Sequence, residues 1–547
     1  MASVTRDVIP QGTSSKASSQ KVIVVGAGIG GLSAAIHLAV QGYTVKMLER
    51  QSRVGGKLNL VEQDGFRFDT GPSLITMPYI LHNIFLIAGK RVEDYLDLVP
   101  LDITCRYFYR DGVILNAWRD HERLAQEFAR LSPSDGASLD HFLDFAKNIY
   151  DAAADPFLYH SLGSPLDVLQ TFIRYVKGHP DDTSSTGEAT SANEQGKHVS
   201  TMLSRLQAVL AALSPETLDQ CVRRFFQDPH LRQLFDRYAT YNGSSPYRVA
   251  SVYSIIPYVE MADGGWYPRG GIYALAQALA RVAREVGVTI ETNRDVRRIL
   301  VRDNEAYGIV LADGSIRRAG IVVANSDVVT THRNLLSPAI QKPGHVLRLE
   351  RLEPSCSGFV LLLGTDKQYP ELAHHNIFFS DDYPAEFRDL FETKTPLQNP
   401  TIYVCATTRT DTTQAPTGCE NLFVLVNAPY LTAHSNWQRD APRYRDHLLD
   451  LLSSYPQGVL RDVREHIIYE QCLTPEDFFQ RYGSNAGSIY GLSSNARLAP
   501  FTRPGNRSTI DNLYFVGGST HPGGGVPLVL LSGKIVAGLV EQDRVRH

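Results

Sequence analysis

The 547 residues contain no apolar run of 18 or more, which excludes an evident membrane-spanning helix. The longest late run, Val526 to Val540, is broken by Ser532, Gly533 and Lys534. Basic excess is missing as well. The net charge of −4 leaves no electrostatic footprint for nucleic acid, and none is expected as a partner. The six cysteines, at 105, 221, 356, 405, 419 and 472, form no C-x-x-C pair and no zinc spacing. They read as scattered buried thiols of a reducing compartment. No G-x-x-x-x-G-K-[ST] is present, so a P-loop is excluded. The first 20 residues lack a hydrophobic signal region and read as a flexible tail, which points to the cytoplasm.

What is present is an ordinary globular composition, 43% apolar, in a chain long enough for a large core. At about 150 residues per unit the length suggests three or four domains. The clearest unit is KVIVVGAGIGGLSAAIHL, Lys21 to Leu38. Val22 to Val25 is a continuous apolar run of the kind found in buried parallel strands. Leu32, Ala35, Ile36 and Ala39 follow at helical spacing, Gly42 stops the helix, and Tyr43 to Leu48 form a second strand ending at Glu49. Between strand and helix lie Gly26, Gly28, Gly30 and Gly31. Gly26 permits the tight turn, Gly28 lets the backbone approach a pyrophosphate, and Gly31 lets helix and strand pack closely. The helix N-terminus offers unpaired N–H groups to the phosphates. Glu49 can accept from ribose hydroxyls.

Residues 120 to 260 read as mostly helical, with a polar, mobile insertion at 178–198. A helix is expected over Gly270 to Glu285 and short strands over Val288 to Ile290, Arg297 to Arg302, Tyr307 to Leu311 and Ile316 to Ala324, the last two joined by a turn at Asp313-Gly314. Strand-like runs between 355 and 430 (GFVLLLG, NIFFS, TIYVCA, LFVLVNA) suggest a mixed sheet. Leu513 to Val516 is a last strand, followed by a glycine-rich turn and a helix.

Two further motifs decide the family. The stretch Glu49-Arg50-Gln51-Ser52-Arg53-Val54-Gly55-Gly56-Lys57, with Phe66 to Pro72 after it, resembles the second fingerprint of the flavin amine oxidase superfamily. The run NLYFVGGSTHPGGGVPL, Asn512 to Leu528, resembles the terminus of the bacterial-type phytoene desaturase family of FAD-dependent carotenoid oxidoreductases. The resemblance covers about Lys21 to Val540. It implies an α/β fold: a Rossmann-type FAD-binding domain, an interleaved mixed-sheet substrate domain, and a helical subdomain in contact with a membrane. The implied divisions are a tail (1–20), FAD-binding parts at 21–115, 263–330 and 481–547, a helical region at 116–262 and a substrate domain at 331–480.

It further implies FAD as cofactor, with Gly56 and Lys57 near the phosphates or flavin and Val296 meeting the adenine by its backbone. Gly517, Gly518, Gly525, Val526 and Pro527 would lie near the flavin ring. Most relatives carry Arg where this chain has Lys57, which keeps the charge but loses the bidentate fork. The implied substrate is an acyclic carotenoid, with oxygen or a quinone as electron acceptor. Some stretches (GGKLN, FDTGPSLITMPY, QYPELAHHNIFF, YGSNAGSIYG) resemble the branch that oxidises terminal methyls of C30 polyenes. Others (SVYSIIPYVEM, STHPG) resemble C30 desaturases, and both reactions stay open, methyl oxidation placed first. Two other classes share the fold. The PGGGVP terminus argues against an amine oxidase, and the intact glycine loop argues against a non-catalytic lipid-binding relative.

No catalytic constellation stands out. His374 and His375 are adjacent, which on a strand sends them to opposite faces, so no metal is expected there. His521 reads as a flavin contact or a turn former. Trp266 and Tyr267 read as substrate lining or core. The apolar stretch Phe157 to Val176, with Arg174 and Lys177, reads either as a surface for peripheral membrane attachment or as a helix packed on the core.

Overall fold

The computed structural model describes residues 20–154, 158–161, 173, 209, 211, 214–496, 499 and 503–546. The expected tail and the insertion at 178–198 lie outside them. Of the apolar residues singled out between 157 and 176 only Leu158, buried, and Ile173, exposed, lie inside. No helix among the described residues is long and apolar enough to cross a membrane.

Strand β1 (Lys21–Val25) is the centre of a five-stranded, all-parallel sheet. Its neighbours are β2 (Thr44–Leu48) on one side and Ile321–Ala324 on the other, with Thr289–Glu291 and Leu513–Phe515 at the edges. Val22, Ile23, Val24 and Val25 are all buried, as the unbroken apolar run requires when both faces are covered. Helix α1 (Ile29–Val40) follows directly, with Gly28 as N-cap and no side-chain cap. Its last turn ends at Gly42, φ +94°, a left-handed position that suits glycine.

The run Ile316 to Ala324 is not one strand. Ile316–Arg318 is the edge of a three-stranded antiparallel sheet with Glu305–Leu311 and Val296–Arg302. Ile321–Ala324 is buried beside β1, and the Gly320 N–H donates to the Lys21 carbonyl at the switch. Period alone cannot show a chain leaving one sheet for another.

A second sheet is seven-stranded and mixed. Its order is Ile467–Leu473, Ser357–Thr365, Glu420–Ala428, Ile402–Cys405, His375–Phe378, Ile103–Phe108, Ile114–Trp118. All pairs are antiparallel except His375–Phe378 with Ile103–Phe108. Ile103–Phe108 falls within 21–115 and Ile114–Trp118 crosses its end, so the chain enters this sheet inside the stretch first assigned to cofactor binding. The helix Val526–Arg546 returns to pack on α1. A Cβ at Gly533 would stand 2.5 Å from the Ala34 nitrogen, and the Ser33 hydroxyl donates to the Leu530 carbonyl at 2.7 Å.

Candidate active site

A cavity of about 690 Å³ runs from the turn between β1 and α1 to the face of the seven-stranded sheet. Gly26, Gly28, Gly30, Glu49, Gly56, Lys57, Val296, Gly517, Gly518, Gly525, Val526 and Pro527 all line it. Gly31 stands behind the wall. Its Cβ would fall 2.3 Å from the Gly26 carbonyl oxygen, so it permits the close approach of helix to turn.

One side chain that sequence reasoning missed organises this end. Asn325 follows the buried strand Ile321–Ala324, and its amide Nδ2 donates to the Gly26 carbonyl at 3.2 Å. A Cβ at Gly28 would be 2.9 Å from Nδ2, and Cβ atoms at Gly30 and Gly517 would be 2.9 and 2.8 Å from Oδ1. The glycines of both ends of the chain therefore meet around a single amide. The only signal in the sequence was Asn325-Ser326-Asp327 at the end of an apolar strand.

Glu49 is buried and accepts the Ala27 N–H at 2.7 Å on Oε2 and the Gln51 N–H at 2.9 Å on Oε1. Both oxygens keep a second lone pair. Lys57 donates to the carbonyls of Ser488 (3.2 Å) and Ile489 (2.8 Å). Burial pulls its ammonium down to about 8, opposed by the charge of Asp327. Asp327 is itself pushed up by burial, while it caps the following turn through the Val329 and Thr330 N–H groups. Arg503, also unremarked in the sequence, ties the carbonyls of Tyr490 and Gly518 together at 3.0 and 2.8 Å, fixing the glycine-rich wall. Asp69 staples the fingerprint to the helix Tyr273–Glu285 by accepting the Ile272 and Tyr273 N–H groups at 2.8 and 3.1 Å. Burial raises its carboxyl to about 6.

The far end of the cavity is different. Val360, Ile377, Phe423 and Leu425 form an apolar floor from the large sheet. Arg237, Thr240, Tyr241, Tyr383 and Asn427 sit among them. Arg237 is buried, donates from Nη2 to the Tyr107 hydroxyl at 2.9 Å, and stands 3.9 Å from Glu260. Glu260 accepts from the hydroxyls of Tyr238 (2.7 Å) and Tyr241 (2.5 Å). Among the described residues the Arg237 Nε–H has no hydrogen-bond partner, and the guanidinium lies over the rings of Tyr107, Tyr238 and Tyr241.

His521 is buried behind the glycine-rich turn, where its N–H donates to Pro504 and its carbonyl accepts from Asn506 and Ser532. Trp266 and Tyr267 pack outside the cavity wall. Trp266 lies under the Arg119 guanidinium, and the Tyr267 hydroxyl reaches Asp69 at 3.3 Å. The opposite-face argument for His374 and His375 fails. The strand begins at His375, so alternation does not govern His374, and the two ring centroids are 4.4 Å apart.

A parallel sheet, a glycine turn opening an uncapped helix and an acidic end to the second strand define a dinucleotide-binding oxidoreductase fold. The wall fits FAD: α1 presents its N-terminus to the cavity, and Gly26, Gly28 and Gly30 line it there without a side chain between backbone and cavity. The sequence pattern of flavin containing amine oxidoreductases matches residues 29–540, and the chain belongs to that family. It is similar to a 4,4'-diapolycopene oxygenase of Methylomonas sp, 37% identical over 528 residues, covering 96% of this chain and 99% of that protein. A 4,4'-diaponeurosporene oxygenase of Staphylococcus haemolyticus is also 37% identical, over 95% of this chain and 97% of its own. Among solved structures, cyclohexylamine oxidase from Brevibacterium oxydans IH-35A shares the fold, with a TM-score of 0.57 at 17% identity over 96% of this chain and all of that one. The protein is an FAD-dependent oxidoreductase.

Proposed function

We propose that the chain oxidises the terminal methyl groups of an acyclic C30 carotenoid to aldehyde or acid. The observation that carries this over desaturation is the polar group at the sheet end of the cavity. A hydrocarbon that only loses hydrogen offers no acceptor to the guanidinium of Arg237 or the hydroxyls of Thr240 and Tyr241, which line that end of the cavity. A carbonyl or carboxylate end group is an acceptor such cationic and hydroxyl donors can bind. The names of the relatives support the same reading.

In this reading the FAD pyrophosphate lies over Gly26, Gly28 and Gly30 at the start of α1, Glu49 accepts from the ribose, and the Val296 backbone meets the adenine. Gly56 and Lys57 stand by the phosphates or flavin, and Gly517, Gly518, Gly525, Val526 and Pro527 border the ring. When bound, FAD supplies the two-electron redox chemistry. The protein's own part is to hold the chain of double bonds on Val360, Ile377, Phe423 and Leu425, to exclude water, and to orient the polyene end toward Arg237 and Tyr241. Oxygen or a quinone serves as electron acceptor, and the substrate is met at a membrane surface to which the protein binds peripherally.

The test is expression in bacteria that make C30 polyenes, with products identified by mass. Aldehyde or acid end groups are expected. Loss of hydrogen with no oxygen gained would assign desaturation instead. Arg237→Met should lower the oxygenated fraction, and Arg237→Lys should restore part of it.

A further inference from the structure

On the large sheet, His375 and Cys405 are direct cross-strand partners, so their side chains share a face. His374 lies one residue before the strand and is tied to the same place by the Ala406 N–H donating to its carbonyl at 2.9 Å. One ligand atom from each of His374, His375 and Cys405 lies within 4.8 Å of the others, and all three residues are buried. The second ring nitrogens are already held. Nδ1 of His374 pairs with the Thr410 hydroxyl at 2.6 Å, and Nδ1 of His375 pairs with the Tyr403 hydroxyl at 2.7 Å. Both Nε2 atoms are buried without a hydrogen-bond partner among the described residues. Two orphaned imidazole nitrogens, on histidines grouped with a buried thiol, are costly if they do nothing. Anchoring of Nδ1 by an oxygen while Nε2 stays free is the arrangement that orients metal-ligating histidines.

We propose that His374, His375 and Cys405 bind one soft transition-metal cation, copper(I) in preference to zinc(II), on the wall of the cavity. The choice of ion follows from charge and softness. Two neutral imidazoles and one thiolate around a monocation sum to zero, whereas zinc(II) leaves a positive charge in a buried site. Thiolate with imidazole in a low-coordinate set suits copper(I). Binding displaces only the Cys405 thiol proton, which passes to solvent. His375 and Tyr403 line the cavity, so the site borders the space assigned to the polyene. The inference rests on the sheet register and not on the identity of the substrate.

The FAD-loaded full chain is titrated anaerobically with copper(I) against a chromophoric chelator, and bound metal is measured by elemental mass spectrometry. About one copper per chain is expected, with X-ray absorption showing one sulfur and two nitrogen neighbours at bonding distance. Cys405→Ser and His375→Gln should weaken binding roughly tenfold or more, and Cys221→Ser, a buried thiol elsewhere, should not. Flavin absorbance reports that each variant is folded. If a variant fails to fold, the absorption spectrum of the unaltered protein still decides. Copper bound without sulfur, no bound copper, or unchanged binding in Cys405→Ser and His375→Gln would overturn the site. Tighter binding of zinc(II) than of copper(I) would overturn the ion assigned.

Discussion

The contact of Asn325 with glycines from both ends of the chain permits a separation of two roles that a glycine loop normally hides. In Gly28→Ala the new Cβ meets Asn325 Nδ2 at 2.9 Å, and the next atom outside that side chain is the Gly56 Cα at 3.9 Å. The clash is therefore with the end of one side chain, and an overpacking cost of about 1–3 kcal/mol is expected. Asn325→Ala removes that amide at the expense of its bond to the Gly26 carbonyl, about 1 kcal/mol. The double variant should then be more stable than the sum of the two single losses by about 1–2 kcal/mol, within the range seen for residues in contact. Gly31→Ala is the contrast. Its Cβ also meets Asn325 Nδ2 at 3.0 Å, but it strikes the Gly26 carbonyl oxygen at 2.3 Å, which no side-chain removal relieves, so most of its loss should persist alongside Asn325→Ala. The assay is urea unfolding of the FAD-free protein for all five variants and the parent, followed by FAD affinity from flavin fluorescence. Stability should be rescued in Gly28→Ala/Asn325→Ala while affinity stays reduced by about tenfold, about 1.4 kcal/mol, because the pyrophosphate still meets the methyl group. Equal rescue at positions 28 and 31 would refute the packing argument. Full recovery of FAD affinity in the double variant would refute the placement of Gly28 against the cofactor.

Other outcomes follow from the same wall. Burial holds the Lys57 pKa near 8 against 10.5 when unfolded, so Lys57's contribution to stability is complete above pH 10.5 and declines as pH falls toward 8. A diphosphate beside it reverses the shift, so FAD binding between pH 8 and 10 should take up a proton, visible as buffer-dependent heat in calorimetry and lost in Lys57→Met; buffer-independent heat in the parent protein would count against a phosphate contact. Glu49→Gln keeps one acceptor oxygen but loses the charge that strengthens its bonds to Ala27 and Gln51, and FAD affinity should fall by about tenfold without loss of the fold by circular dichroism. Gly533→Ala forces a methyl to 2.5 Å from the Ala34 nitrogen and should lower stability by about 1–3 kcal/mol, read as a lower thermal midpoint.

How much of this was readable beforehand depended on how local the cause was. The β1–α1–β2 unit was legible because its strand is apolar throughout, its helix keeps a 3.6-residue period and its glycines mark the turn. Glu49 and Lys57 were found by spacing and by likeness. Asn325 was not, because its role depends on two glycine segments almost 500 residues apart reaching one point. Arg237 was hidden for a related reason: an arginine in a helical region looks solvated until Tyr107 and Glu260 arrive from elsewhere. The strand Ile103–Phe108 was missed because its partners are His375–Phe378 and Ile114–Trp118, one of them far along the chain. For His374 and His375 the alternation rule was sound, but it was applied one residue before the strand begins.

The five-stranded sheet has a consequence for how the protein comes into being. Its strands are translated in the order 21–25, 44–48, 289–291, 321–324 and 513–515, and the inner strand 321–324 lies between neighbours, 21–25 and 513–515, that are far apart in the chain. At about 5–20 residues per second, a ribosome needs roughly half a minute to two minutes to pass from the first strand to the last. Throughout that time α1 lacks the cover of Val526–Arg546, although Tyr273–Glu285 packs on the same helix earlier in synthesis. Flavin capture should therefore wait for the segment 513–527 to be made, and nascent chains stalled before residue 513 should carry no FAD.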